Sequence, residues 1–226
     1  MPNFVLNQED PTLAAAYHNK SVAEQNSVDL AWNTLMDSSF DHVRPLIYSN
    51  TTELKRFRQL LVNVVMATDI FDRELGSLRK KRWDKAFADE NEEAMSEEEK
   101  LESVNRKATI VIEHIIQASD VAHTMQHWHI YQKWNSRLFE EMYTAFRSGR
   151  TDKDPSTFWF QGEIGFFDNY IIPLAKKLKD CGIFGVSSDE YLNYATKNRS
   201  EWERKGFEIV NRMVKKIEGL DDSENE

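Results

Sequence analysis

Apolar residues recur at three- and four-residue intervals along nearly all of this 226-residue chain, and period-two alternation is sustained nowhere. Such spacing places one apolar stripe on each of a series of helices. Only 8 Gly and 5 Pro interrupt the pattern, too few for a turn-rich β protein. The expected fold class is therefore all-α.

The helices can be delimited from their end signals. Asp10-Pro11 opens a short one, with proline at a first-turn position. Ser21 with Glu24 three residues on has the form of a capping box leading into Val22, Val28, Ala31, Trp32 and Leu35. Residues 45–52 read as a polar connection. Thr52 then caps a helix with a wide face of Leu54, Phe57, Leu61, Val64, Val65, Thr68 and Ile70. A second box, Ser96 and Glu99, precedes Leu101, Val104, Ala108, Ile112, Ile115 and Ile116. Helices over about 128–147 and 156–179 follow, the latter ended by Gly182 and Gly185. Two more, about 188–198 and 200–219, precede an acidic tail over 220–226.

Composition narrows the classes of function. A formal charge of −9 opposes binding to a nucleic acid polymer, though not to a small anion at a locally positive site. Cys181 is the single cysteine, so neither an internal disulfide nor a cysteine zinc site is available and a reducing compartment is expected. No apolar run approaches the roughly 20 residues that cross a bilayer, and the first ten residues lack the features of a secretory signal. A cytoplasmic location is expected, with a membrane-attached parent protein left open. Between about 76 and 100 a basic cluster (Arg79, Lys80, Lys81, Arg82) meets an acidic one (Asp89, Glu90, Glu92, Glu93, Glu97, Glu98, Glu99); this reads as a solvated excursion.

Chemistry-bearing residues are few. Asp120, His123 and His127 would share one face if they lay on a single helix, and one carboxylate with two imidazoles is a plausible divalent-metal set. Asp120 equally reads as a cap for Ala122 or His123. There is no glycine-rich phosphate loop, nucleophile elbow or His-Glu-x-x-His segment.

Two stretches carry a resemblance. Gln117-Ala-Ser-Asp120-Val-Ala-His123 is followed by Tyr131-x-x-Trp134-x-x-Arg137-Leu138-x-Glu140-Glu141. Gln161-Gly-Glu163-Ile-Gly-Phe166-Phe-Asp168-Asn-Tyr-Ile-Ile-Pro173 comes next. Together they resemble the C-terminal half of a class I 3′,5′-cyclic nucleotide phosphodiesterase catalytic domain. Weaker matches at Val65-Met-Ala-Thr-Asp69 and residues 13–24 extend it over most of the chain. The resemblance implies a multi-helix, HD-type array spanning 1–219 as a partial catalytic domain. It implies that Asp120 is a metal ligand and that Glu24 supports metal-bound water from the outer shell. Leu138 and Phe166 would be the two jaws that hold a purine, with Glu163 and His123 beside the base. It also implies a two-metal centre, zinc plus magnesium or manganese, and a cyclic nucleotide as ligand.

The departures are equally informative. The family's His-Asn-x-x-His-x-x-Asp segment and its later His-Asp pair, which carry most metal ligands and the general acid, are not in these residues. His18-Asn19 is followed by Val22 where the second histidine belongs. No catalytic histidine is therefore assigned, and a missing N-terminal half is the expected partner. Glu163 stands where the family has glutamine, so an ionised side chain there accepts but does not donate. His123 stands where it has asparagine. The function implied is the C-terminal part of an enzyme converting cAMP and/or cGMP to the 5′-monophosphate, inactive by itself. The alternative is a non-catalytic regulatory or dimerisation module derived from the same fold.

Overall fold

The computed structural model describes residues 3–88, 95–182, 184, 185 and 188–219. Every regular element among them is helical, as expected. Contacts group the chain into two units, Met1–Asp120 and Val121–Glu226. The acidic tail 220–226 and residues 89–94 of the charged stretch lie outside the described residues.

The first unit contains α1 (Asn3–Glu9), α2 (Pro11–Ala16), α3 (Val22–Met36), α4 (Arg44–Ile47), α5 (Thr51–Ala67), α6 (Arg73–Ala86) and α7 (Glu97–Asp120). Helix α3 packs on α1 and α5, and α7 on α5 and α6. Asp10 caps α2 by accepting from the Leu13 amide at 2.9 Å, with Pro11 opening the helix. The Ser96–Glu99 box closes in both directions, at 2.8 and 3.2 Å. Helix α5 starts earlier than expected. Asn50, not Thr52, is its cap, its Oδ1 accepting from the Thr52 and Glu53 amides at 3.0 Å each. The segment 45–52 is likewise not all connection, because α4 occupies its first part.

The Ser21–Glu24 box does not form. Ser21 is left-handed at φ 41°, and its hydroxyl donates to Asp69 Oδ2 at 2.7 Å. The left-handed backbone and the bond to Asp69 aim the hydroxyl away from the helix, and Asn3 Oδ1 takes the Ala23 amide instead, at 2.9 Å. The basic end of the charged stretch also differs from a solvated excursion. Arg79, Trp83 and Ala86 fall at i, i+4 and i+7, and all three are buried on α6. Arg82 pairs at 2.7 Å with Glu113, a buried residue of α7.

The second unit contains α8 (Trp128–Arg147), α9 (Trp159–Phe166), α10 (Ile172–Asp180) and α11 (Ser188–Ile217). A π-helical stretch, Phe167–Ile171, joins α9 to α10 without a break, and the Ile172 amide reaches the Phe167 carbonyl five residues back. Gly182 and Gly185 follow with positive φ. Helix α11 packs on α8, α9 and α10. It is one helix rather than the expected two. Asn198 is buried at its centre and spans the carbonyls of Thr124 and Gln126, at 2.9 and 2.7 Å. Asn198, where the first of the two was expected to end, anchors the 3-10 turn Ala122–Met125. Tyr131, Phe139, Phe167, Ile171 and Trp202 form a fully enclosed core, and Trp202 donates Nε1–H to the Phe160 carbonyl at 3.1 Å.

Two glycines separate packing from propensity. A Cβ on Gly206 would lie 2.7–2.9 Å from three atoms of the Trp202 indole, which has no room to shift. Gly206→Ala is expected to lower the stability of the second unit by about 1–3 kcal/mol. A Cβ on Gly76, inside α6, meets nothing within 4 Å, so Gly76→Ala should raise stability by about 0.5–1 kcal/mol. Urea unfolding followed by tryptophan fluorescence reads both.

Candidate functional site

The candidate site is organised by a polar chain inside the second unit. Tyr131 lies on the first turn of α8 and is completely buried. Its hydroxyl donates to Glu163 Oε2 at 2.7 Å. Asn135, one turn further along α8, donates from Nδ2 to the Tyr131 hydroxyl at 3.4 Å and accepts at Oδ1 from Trp159 Nε1 at 3.2 Å. The pairs 131/163 and 135/159 run in opposite order, so α8 and α9 are antiparallel at this contact.

Among the described residues, no cation pairs with the Glu163 carboxyl. Burial pushes the Glu163 carboxyl up to about 7, against the pull of the hydrogen bonds from Tyr131 and Asn135. Tyr131 is pushed well above its usual range, first by burial and then by the charge of Glu163. Tyr131 therefore keeps its proton, and it is burial, against the hydrogen bond from Tyr131, that favours a proton on the carboxyl.

The sequence-assigned ligand residues gather around the same two helices. His123 lies in the 122–125 turn, its ring 6.4 Å from Tyr131 and inclined by only 3°. Leu138 lies about two turns beyond Tyr131 on α8 and is 44% exposed. Phe166 lies one turn beyond Glu163 and stacks on Tyr170 at 5.4 Å. The Tyr131–Glu163 bond thus joins the helix that carries Leu138 to the helix that carries Phe166. Asn135 and Trp159 went unassigned in the sequence, although the spacing of Tyr131 and Asn135, two polar groups at i and i+4 in an apolar stripe, was a usable signal.

Glu24 and Asp120 belong to the first unit. Glu24 Oε2 accepts from Asn3 Nδ2 at 2.9 Å, and the same amide reaches Asp69 Oδ2 at 3.5 Å. Asp69 also accepts at Oδ1 from the amides of Phe71 and Asp72, at 3.1 and 3.2 Å. Its bond to Ser21 helps hold a loop in which His18, Asn19 and Ser21 all have positive φ. Asp120 is the last residue of α7 and is exposed, and no side chain caps the turn that follows. Because α7 stops there, Asp120, His123 and His127 do not share a helical face. His127 instead opens α8 with extended backbone, its Nε2 3.0 Å from the Tyr194 hydroxyl.

Among the described residues no group of three or more His, Cys, Asp or Glu is placed to hold a metal ion. The donors present therefore do not fit a two-metal centre, to which Asp120 offers a single carboxylate. No helix among the described residues is long and apolar enough to cross a membrane.

Comparison with known proteins agrees with this architecture. The family model described as 3′,5′-cyclic nucleotide phosphodiesterase matches residues 3–184. The chain belongs to that family. It is 24% identical over 211 residues to the Caenorhabditis elegans protein "Probable 3′,5′-cyclic-AMP phosphodiesterase pde-4", covering 88% of this chain and 29% of that one. It is 24% identical over 192 residues to human dual specificity calcium/calmodulin-dependent 3′,5′-cyclic nucleotide phosphodiesterase 1C, covering 79% and 24%. The chain thus spans less than a third of the length of these curated relatives. The phosphodiesterase domain of the RhoPDE fusion protein from the choanoflagellate Salpingoeca rosetta shares the fold, with a TM-score of 0.67 at 19% identity over 95% of this chain and 65% of that one.

The Glu163 environment has a thermodynamic signature. Its pKa is raised to about 7 in the folded protein, whereas an unfolded glutamate titrates near 4.3. The folded state therefore binds the extra proton between these values, and that stabilisation is lost as pH rises through about 7. Unfolding free energies measured from pH 4.5 to pH 8 should fall more steeply in the native protein than in Glu163→Gln, with the difference levelling off at the upper end.

Proposed function

We propose that this chain supplies the base-binding part of a cyclic nucleotide phosphodiesterase domain acting on cAMP and/or cGMP. Leu138 and Phe166 hold the two faces of the purine, Glu163 meets its edge, and His123 lies beside it. The observation that carries this reading is the Tyr131–Glu163 bond, which draws two motifs some thirty residues apart onto facing helices of one unit. A half-exposed Leu138 beside a largely enclosed aromatic cluster suits a flat ligand that is covered on its faces and open at its rim.

Hydrolysis to the 5′-monophosphate belongs, in this proposal, to a complete domain with two divalent ions, zinc plus magnesium or manganese. This chain contributes Asp120 as one ligand and Glu24 in support. The general-acid histidine and the remaining ligands are not among its 226 residues, so the chain alone binds without turning over. The whole reading, including a cytoplasmic setting and a 1–219 partial domain, rests on the family relationship and on this geometry.

A second reading is favoured by α7. Its buried face carries Ile110, His114 and Gln117, yet Leu101, Val104 and Ile112 on another face are exposed. A helix apolar on two faces is normally covered on both. That suits a helical module whose role is association with another helical surface.

Purified chain is expected to release no 5′-nucleotide from cAMP or cGMP but to bind fluorescently labelled cyclic nucleotide. Leu138→Ala should weaken that binding about tenfold, the effect of losing one stacking face. Binding untouched by both Leu138→Ala and Phe166→Ala would defeat the base-clamp reading. Turnover that disappears in Asp120→Ala would defeat the claim of inactivity. Sedimentation of Leu101→Glu/Val104→Glu beside the native chain tests the second reading, since a shift to smaller species is expected only if the α7 face drives association.

A further inference from the structure

The unusual feature of the candidate site is a carboxyl where a hydrogen-bonding group must both give and take. The two oxygens of Glu163 are not equivalent. Oε2 is occupied as an acceptor by the hydroxyl of Tyr131, a residue with no solvent exposure. Tyr131 has one proton to give. Its own acceptor position is approached by Asn135 Nδ2 at 3.4 Å, whose Oδ1 is in turn held by Trp159 at 3.2 Å. The order of donors along this relay is therefore set by two groups, indole N–H and amide N–H₂, that cannot reverse it. A proton on Glu163 then resides on Oε1, the oxygen that Tyr131 does not engage.

Among the described residues, no cation pairs with the carboxyl. From α8 it is faced by Tyr131 and Asn135. The 122–125 turn brings the titratable His123, whose ring is parallel to that of Tyr131 at 6.4 Å. On α11, Arg199 is bound to Asp168 of the π-helical stretch through two 3.0 Å contacts and also to Glu203. Lys205 pairs with Glu201. In the 155–157 turn, Asp154 caps Ser156. None of these cations is directed at Glu163, and burial raises its pKa.

We propose that Glu163 meets the base as a neutral acid, with Oε1–H donating a hydrogen bond to the ligand while Oε2 accepts, so that ligand affinity is controlled by pH. A neutral carboxyl presents one donor and one acceptor side by side, the same complement as a primary amide. Purine edges likewise set a donor next to an acceptor. Ionisation removes the donor and sets a negative charge against the ligand's acceptor. The inference rests on the base-binding reading above and adds to it the protonation state in which the site works.

The test uses the full chain with labelled cAMP and cGMP at pH 6 and pH 8, in native protein and Glu163→Gln, together with carbon-detected NMR of the Glu163 carboxyl. If one proton with a midpoint of about 7 governs binding, native affinity falls about tenfold between these pH values. Glu163→Gln should bind equally at both, near the native affinity at pH 6. The carboxyl resonance should titrate close to 7, and Tyr131→Phe should move that midpoint upward, because the lost hydrogen bond had favoured the charged form. A midpoint in the ordinary carboxylate range overturns the proposal whatever the ligand does. So does native binding that is flat with pH, or a pH dependence that survives in Glu163→Gln and so belongs to His123. Absence of binding at both pH values, with the carboxyl still titrating near 7, removes the base-binding reading and this proposal with it.

Discussion

The second unit is arranged around a single hydroxyl. Tyr131 is enclosed by Phe167 and Trp202, both edge-on at 5.3 and 5.8 Å, and by Trp128 at 5.4 Å. An unpartnered hydroxyl at such a position would cost more than a typical hydrogen bond contributes. Glu163 Oε2 satisfies it, and Asn135 and Trp159 complete the relay on the other side. Because these four residues come from α8 and α9, the requirement for saturation fixes the register of the two helices. Helix α11 then seats Trp202 against the result. The positions of Leu138 and Phe166 follow from that register.

The first unit is held differently. Apart from Trp83, its buried apolar side chains are small or aliphatic, such as Val5, Ala14, Val22, Val28, Ala67, Ala86 and Ile110. The wide face expected on α5 is only half-buried at Leu54, Phe57, Leu61, Val64 and Val65. Polar contacts supply much of the specificity. Asp69 ties together Ser21, Asn3 and the chain entering α6, while Arg79 closes on the carbonyls of Met66 and Asp69 at 3.3 and 3.1 Å. The enclosed Glu113 has Arg82 as its cation. Removing one member of such a pair is more damaging than the pair itself is stabilising.

Helix ends that depend on adjacent residues were legible. The Ser96–Glu99 box and the Asp10 cap follow from groups within four residues of one another. The Ser21 box was misread because the deciding acceptor, Asp69, is 48 residues away. The unity of α11 was hidden for the same reason, since Asn198 reads as a helix end until the carbonyls of Thr124 and Gln126 are brought to it. Charge runs misled at Arg79, whose burial depends on the i, i+4, i+7 company of Trp83 and Ala86.

The sequence by itself determined the helical class and the family, because periodicity and motif order are properties of the chain read in line. It showed Glu163 only as a departure from the amide. Whether that carboxyl carries a charge depends on dielectric and hydrogen-bond partners, which exist only after α8 and α9 have packed. The same packing decided that Asp120 ends a helix rather than sharing a face with two histidines. Composition names the donors, but only the folded backbone sets the directions in which they point.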